Sequence, residues 1–207
     1  IGTFDTRFGI SQANFLEAVA QAEAIWEKPI SKNLFEYKAG GHLKVNLIYD
    51  NRQAATQKLK TIGAVVGANR AQYDSLKAEY ESQVAILDLN RLTQEQADRL
   101  NAIARQLNEL ATTLNLNVAK YNTIGASNGE EFNEGIYVSE PAGQRIDIYQ
   151  YDDKAKLVRV LAHELGHALG LDHVEDPKAI MYRLNQATNE KLSSADLSAL
   201  KTRCSLK

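Results

Sequence analysis

The chemistry of this chain is concentrated in one short run, His163-Glu164-Leu165-Gly166-His167-Ala168-Leu169-Gly170-Leu171-Asp172-His173, which holds three of the four histidines in the sequence. On a helix, His163 and His167 project from the same face, so both imidazoles can reach one metal ion. Glu164 lies about 100° further round the helix, beside such a metal and not on it. Gly170 can take the left-handed conformation that ends a helix and turns the chain, bringing His173 in from another direction. Three neutral imidazoles leave the fourth position of a tetrahedral zinc open to water, the arrangement of a catalytic site and not of a structural one.

The bare His-Glu-x-x-His pattern also fits an amphipathic helix carrying two surface histidines. The glycine and third histidine at fixed spacing set this segment apart. The only methionine of the chain, Met181, follows shortly after His173. Taken alone, a single methionine is equally well explained as core filler.

The elements that must position these residues are legible around them. Asp152 or Asp153 can cap a helix through Leu157, Val158, Leu161, Leu165 and Ala168 that ends at Gly170. Ile136-Tyr137-Val138 reads as a short strand ended by Pro141 and Gly143, and Ile146, Ile148 and Tyr149 as another. Ser193 or Ser194 caps a last helix with Leu197 and Leu200. Near the start, Phe15, Ala18, Val19, Ala22, Ile25 and Trp26 fall at helical spacing after a possible N-cap at Ser11, with Pro29 beyond. Leu43, Val45, Leu47 and Tyr49 then alternate as a strand with one mostly buried face.

Between residues 51 and 121 the texture changes. One stripe runs Leu59, Ile62, Val66, Asn69, Tyr73, Leu76, Tyr80, Gln83, Leu87, and a second runs Leu100, Ile103, Leu107, Leu110, Leu114, Val118, Tyr121. Both follow a three-four spacing, and Thr93 with Gln96 has capping-box spacing. The expectation is an antiparallel αα-hairpin, broken between Asp88 and Leu92 and long enough to project from the body.

Bulk properties bound the rest. The 207 residues suffice for one sizeable domain, or a domain with a large insertion. A formal net charge of -2 gives no electrostatic reason to expect nucleic acid or an anionic membrane as partner. No apolar run approaches the ~20 residues of a membrane span. The single Cys204 rules out an internal disulfide without naming a compartment. The chain opens on Ile1 without an initiator methionine, leaving removal of an export signal and simple trimming as open alternatives.

With these residues in view, the chain resembles the metzincins, and within them the matrixins, the matrix-metalloproteinase-like enzymes. His163 to His173 is similar to a matrixin zinc helix, and Ala179-Ile180-Met181-Tyr182 to that family's Met-turn. Leu192 to Leu197 resembles the start of its C-terminal helix, Glu134 to Gly143 its substrate-binding edge strand, and Arg145 to Asp153 the strand before its zinc helix. The resemblance is good from about residue 134 onward and weak from 1 to 50. It implies an α+β zincin-like catalytic domain over 1–207: a twisted mixed sheet, a zinc helix, a Met-turn and a C-terminal helix, with the hairpin of 51–121 inserted. There are departures. Matrixins usually place serine after the third histidine and proline after the Met-turn tyrosine, whereas this chain has Val174 and Arg183. No cysteine-switch propeptide is visible. The hairpin takes the place of much of the region where matrixins carry structural zinc and calcium. His42 alone cannot build a second histidine-rich site, and calcium is possible but not indicated by any loop.

The activity so implied is hydrolysis of peptide bonds in protein or peptide substrates, with one catalytic zinc on His163, His167 and His173 and with Glu164 as general base. Met181 is implied as the floor beneath the histidines. Substrate is expected to lie extended along Gly135-Ile136-Tyr137-Val138, an edge that also reads as an ordinary edge strand. Tyr182 is a pocket wall or packing, and Leu184 helps line the pocket. The hairpin is either a structural insertion or an arm that docks substrates or a partner. An extracytoplasmic location goes with the resemblance. Two other functions stay open: a zinc-containing binding or scaffold protein acting through the hairpin, and a zinc amidohydrolase of non-peptide amides.

Overall fold

The computed structural model describes residues 1–89, 91–127, 134–184 and 190–205. Within them the chain runs through helix α1 (Gln12–Glu27), strand β1 (Leu43–Leu47), helices α2 (Asn51–Ile86) and α3 (Gln94–Ser127), strands β2 (Gly135–Glu140) and β3 (Gly143–Ile148), and helices α4 (Lys154–Ala168) and α5 (Ser194–Arg203). This is a mixed α+β order with a small three-stranded sheet, compatible with a matrixin catalytic domain. Two compact units divide the chain, Ile1–Thr56 with Glu130–Lys207, and Gln57–Gly129.

In the first unit, β3 is the central strand, parallel to β1 and antiparallel to β2. Ile146, Ile148 and Leu47 bury their side chains against α1 and α4. Phe15, Ala18, Ala22 and Trp26 of α1 are fully buried at helical spacing, and the Trp26 indole N–H donates to the Ala162 carbonyl at 2.8 Å. Ser11 caps α1 by accepting the Asn14 N–H at 3.2 Å. Side chains the size of Phe15, Leu47, Ile146 and Ile148 stabilise the fold by about 1.5–3 kcal/mol each when fully buried. They make α1 and the sheet the rigid bed on which α4 lies.

Strand β1 departs from the expected single buried face, because Asn46 is buried as well as Leu47. The cause is the N-terminal segment, which pairs alongside β1 through a Phe4 to Leu47 bridge. Asn46 Oδ1 accepts the Thr3 N–H at 2.7 Å, and Asn46 Nδ2 donates to Asp147 Oδ1 at 2.6 Å. At the other end of the sheet, β2 pairs only with β3 among the described residues.

The root of α2 belongs to this first unit. The Gln53 amide donates to the Tyr151 carbonyl at 3.1 Å and accepts the Tyr151 N–H at 2.9 Å, while Thr56 Oγ1 accepts from Gln150 Nε2 at 2.7 Å. These bonds clamp the first turns of α2 onto the segment that leads into α4.

In the second unit, every member of the expected α2 stripe from Leu59 to Leu87 is partly buried, while the residues on the opposite face are exposed. Arg99 donates to Glu79 at 3.1 Å, and Tyr121 lies beside Gly63, pairs that run in opposite directions along α2 and α3. Thr93 and Gln96 exchange both capping-box bonds, at 2.9 and 3.2 Å. On α3, Leu100 and Ile103 are buried, but Val118 and Tyr121 are 44% exposed and Asn117 is partly buried in their stead. A seven-residue repeat drifts round a straight helix of 3.6 residues per turn, so its far end rotates outward. Helix α3 runs on past Tyr121 to Ser127. Near the break, Ile86 and Leu89 are exposed and Leu92 is partly buried, while Asn90 lies outside the described residues. No helix among the described residues is long and apolar enough to cross a membrane.

Candidate active site

Helix α4 starts at Asp153, whose side chain accepts the Lys156 N–H at 2.8 Å. It ends where Gly170, at φ +80°, reverses the chain. The Gly170 N–H returns to the His167 carbonyl at 2.9 Å and the Leu171 N–H to the Gly166 carbonyl at 3.0 Å. This left-handed turn delivers His173 to the face that carries His163 and His167. One ring nitrogen from each of the three histidines lies within 4.8 Å of the others. His163 Nε2 is 3.2 Å from Nε2 of both His167 and His173.

The outward nitrogens are already engaged. His163 Nδ1 lies 2.7 Å from the Ile180 carbonyl, and His167 Nδ1 lies 2.9 Å from the Leu171 carbonyl. A carbonyl only accepts, so both Nδ1 atoms carry the proton and both Nε2 atoms present lone pairs to the common centre. Burial drives the His163 pKa down to about 4, with the neighbouring His167 and His173 adding to it against the Ile180 bond. Burial likewise lowers that of His167. Neutral imidazoles with lone pairs facing one another 3.2 Å apart repel unless a cation lies among them. The donor set therefore fits zinc.

Glu164 is buried beside this cluster, and burial pushes its pKa up to about 7, opposed by the Tyr137 N–H that it accepts. Strand β2 passes close enough that a Cβ on Gly135 would sit 2.9 Å from Val160, 3.0 Å from Glu164 Cγ and 3.1 Å from Ile148. Only glycine lets the strand lie against the glutamate stem. The three histidines and Glu164 open into one cavity of about 450 Å³. Of the residues expected along the substrate, Gly135, Ile136 and Tyr137 line it, whereas Val138, Tyr182 and Leu184 are not among the lining residues. Glu134, Val160, Asp172 and Arg183 also line it and were not singled out as site residues beforehand.

Met181 is fully buried, with its side chain against Gly166, where a Cβ would lie 2.3 Å from its sulfur. Its backbone is held by Asp196, which accepts the N–H groups of Ile180 at 2.8 Å and Met181 at 2.9 Å. Arg159, four residues before His163 on α4, donates to the Ala179 carbonyl at 2.6 Å. Neither residue was anticipated. The capping-box spacing of Ser193 and Asp196 was the available signal for the second, and the Asp196 carboxylate also accepts the Ser193 N–H at 2.8 Å.

Comparison with known proteins identifies the family. The family model described as Matrixin matches residues 9–202, and the chain belongs to that family. A probable matrix metalloproteinase of invertebrate iridescent virus 3 is 42% identical over 55 residues, 26% of this chain and 15% of the relative. Human matrix metalloproteinase-16 is 47% identical over 51 residues, 23% of this chain and 8% of the relative. The macrophage metalloelastase of Oryctolagus cuniculus is 73% identical over 26 residues, 13% of this chain and 6% of the relative. The matched segments thus span 15% or less of these relatives' own lengths. No solved structure matches the chain.

Proposed function

We propose that this chain is a zinc-dependent endopeptidase that hydrolyses peptide bonds in extended polypeptide segments. The observation that carries the reading is the convergence of neutral imidazole nitrogens beside a buried carboxylate in one open cavity. A zinc ion held by His163, His167 and His173 supplies Lewis acidity when bound, making a water more acidic and a carbonyl more electrophilic. Glu164 performs the proton transfers: its carboxylate takes the proton of the attacking water and passes it to the leaving amine nitrogen. A carboxyl raised towards 7 suits a group that must both accept and return a proton near neutrality. The Tyr137 N–H orients it, so the edge strand and the base are positioned together.

Substrate adds as a strand to the open edge of β2 along Gly135 to Val138, through main-chain hydrogen bonds that tolerate many sequences. Met181 forms the buried floor under the histidines, and Tyr182 and Leu184 support the same loop. Helices α2 and α3 are read as an insertion within a single catalytic domain, since the family match runs from residue 9 to 202, beginning before them and ending after them. Exposed Ile86 and Leu89 near the break favour an arm that meets protein partners over a purely internal packing element. An extracytoplasmic location goes with the family.

Metal analysis paired with degradation of a generic unfolded protein tests the reading. The purified chain should carry one zinc, and a chelator should stop degradation. Glu164→Ala should retain zinc while losing at least about 100-fold in rate. Parent and variant degrading equally poorly with zinc bound would sink the peptidase reading in favour of a zinc-containing binding protein.

A further inference from the structure

We infer that Arg183 is a specificity residue that recognises a carboxylate of the substrate and so sets the register in which a peptide is cut. The inference rests on the peptidase reading of the same cavity. The bridge between Val174 and Tyr182 sets the direction of the loop after the Met-turn. Tyr182 and Leu184 are partly buried and off the cavity, whereas Arg183 is exposed and lines it. Arginine stands here at the position where the matrixin pattern has proline.

The charges around Arg183 give the inference its direction. The other charged side chains of the lining are the carboxylates Glu134, Glu164 and Asp172. Glu134 is committed to Lys156 at 3.6 Å, and Glu164 accepts the Tyr137 N–H. Arg183 makes no ion pair and no side-chain hydrogen bond among the described residues. Its planar fork of donors matches a carboxylate in paired fashion, which a lysine cannot do. Acidic groups elsewhere in the cleft repel a substrate carboxylate, so apart from the proposed zinc the place that attracts one is beside Arg183. Main-chain pairing along β2 leaves register open, and a single charge recognised at one point closes it. The carboxylate has two possible sources, an Asp or Glu side chain within the substrate or the free C-terminus of a peptide.

Quenched fluorescent peptides test this. One set is amidated and carries a single Glu, Gln or Lys moved through the positions on either side of the cut. A second set is free of acidic side chains and ends in a free or amidated C-terminus at varied distances. Preference for Glu in the first set assigns a side chain, and preference for the free terminus in the second assigns the chain end. The parent should favour the carboxylate peptide about 5- to 10-fold in kcat/KM at one position. Arg183→Gln should bring that ratio to within about twofold, and Arg183→Glu should turn the preference towards Lys at the same position. Fluorescence polarisation with Glu164→Ala protein, which cannot turn over, should give the same ranking in binding. Equal cutting of all peptides by the parent, or an unchanged ratio in Arg183→Gln, overturns the inference and leaves the peptidase reading intact. If nothing is cut but binding still ranks peptides through Arg183, the peptidase reading fails and carboxylate recognition stands. If neither cutting nor binding depends on Arg183, the inference is lost.

Discussion

At Asp196, one fully buried carboxylate accepts the backbone N–H groups of Ile180, Met181 and Ser193. The carbonyl of Ile180 in turn receives His163 Nδ1. A residue outside the histidine cluster thus orients His163, a proposed metal ligand, through one peptide unit. Asp196→Asn keeps the shape but turns an NH₂ group towards N–H donors in a site without water access. It should destabilise the protein by about 2–4 kcal/mol and weaken zinc affinity about 10- to 100-fold. Urea unfolding and a zinc competition titration check the two effects, and an unchanged urea midpoint would remove Asp196 from this role. The three histidines were readable because their spacing is itself the chemistry. The Asp196 bond was not, because its partners lie 15 and 16 positions away along the chain and only the fold brings them together. Arg183 lay between these cases: its departure from the family pattern was visible, but its place on the cavity was not.

Among the elements, the segment between β3 and α4 is held by distant parts of the chain. The Gln53 amide holds both backbone groups of Tyr151, and the Tyr151 ring stacks on Phe8 with centroids 5.3 Å apart. The Tyr151 hydroxyl is buried and meets no hydrogen-bond partner among the described residues, and burial pushes its pKa up to about 12. An unfolded tyrosine ionises near 10. The proton is therefore held more tightly in the folded state, so stability is complete below pH 10 and falls as pH rises towards 12. Tyr151→Phe removes both the unsatisfied hydroxyl and this alkaline loss. It should be more stable by about 1 kcal/mol at pH 8, with the gap widening by about 1–2 kcal/mol by pH 11 after allowance for solvent screening. Urea midpoints at the two pH values measure it, and a gap that stays constant would mean that the hydroxyl is solvated. Local signals located the element ends well: Ser11, Thr93, Asp153 and Ser193 all cap where their side chains predict. The pairing of β1 parallel to β3 was not legible, since α2, α3 and β2 all intervene in the chain and register depends on contacts between distant segments.

At the scale of the whole molecule, the three proposed ligands lie on α4 and the loop after it, and that loop is tied to α5 through Asp196 and to α1 through α4. Metal bound there would draw these pieces together, and its binding free energy would become folding free energy for the first unit. The chain offers a private reporter of that unit in Trp26, its only tryptophan, fully buried against α4 and bonded to Ala162. Zinc at about 100 times its dissociation constant should add about 2.7 kcal/mol of stability. For a chain of this size that raises the thermal midpoint followed by Trp26 fluorescence by about 5–10 °C. A chelator should reverse the rise. His173→Ala, which removes a proposed ligand from an exposed loop with little loss of packing, should abolish most of it while leaving the metal-free midpoint nearly in place. A zinc-induced shift of equal size in His173→Ala would mean that the third histidine is not a ligand, and no shift in either protein would end the metal assignment.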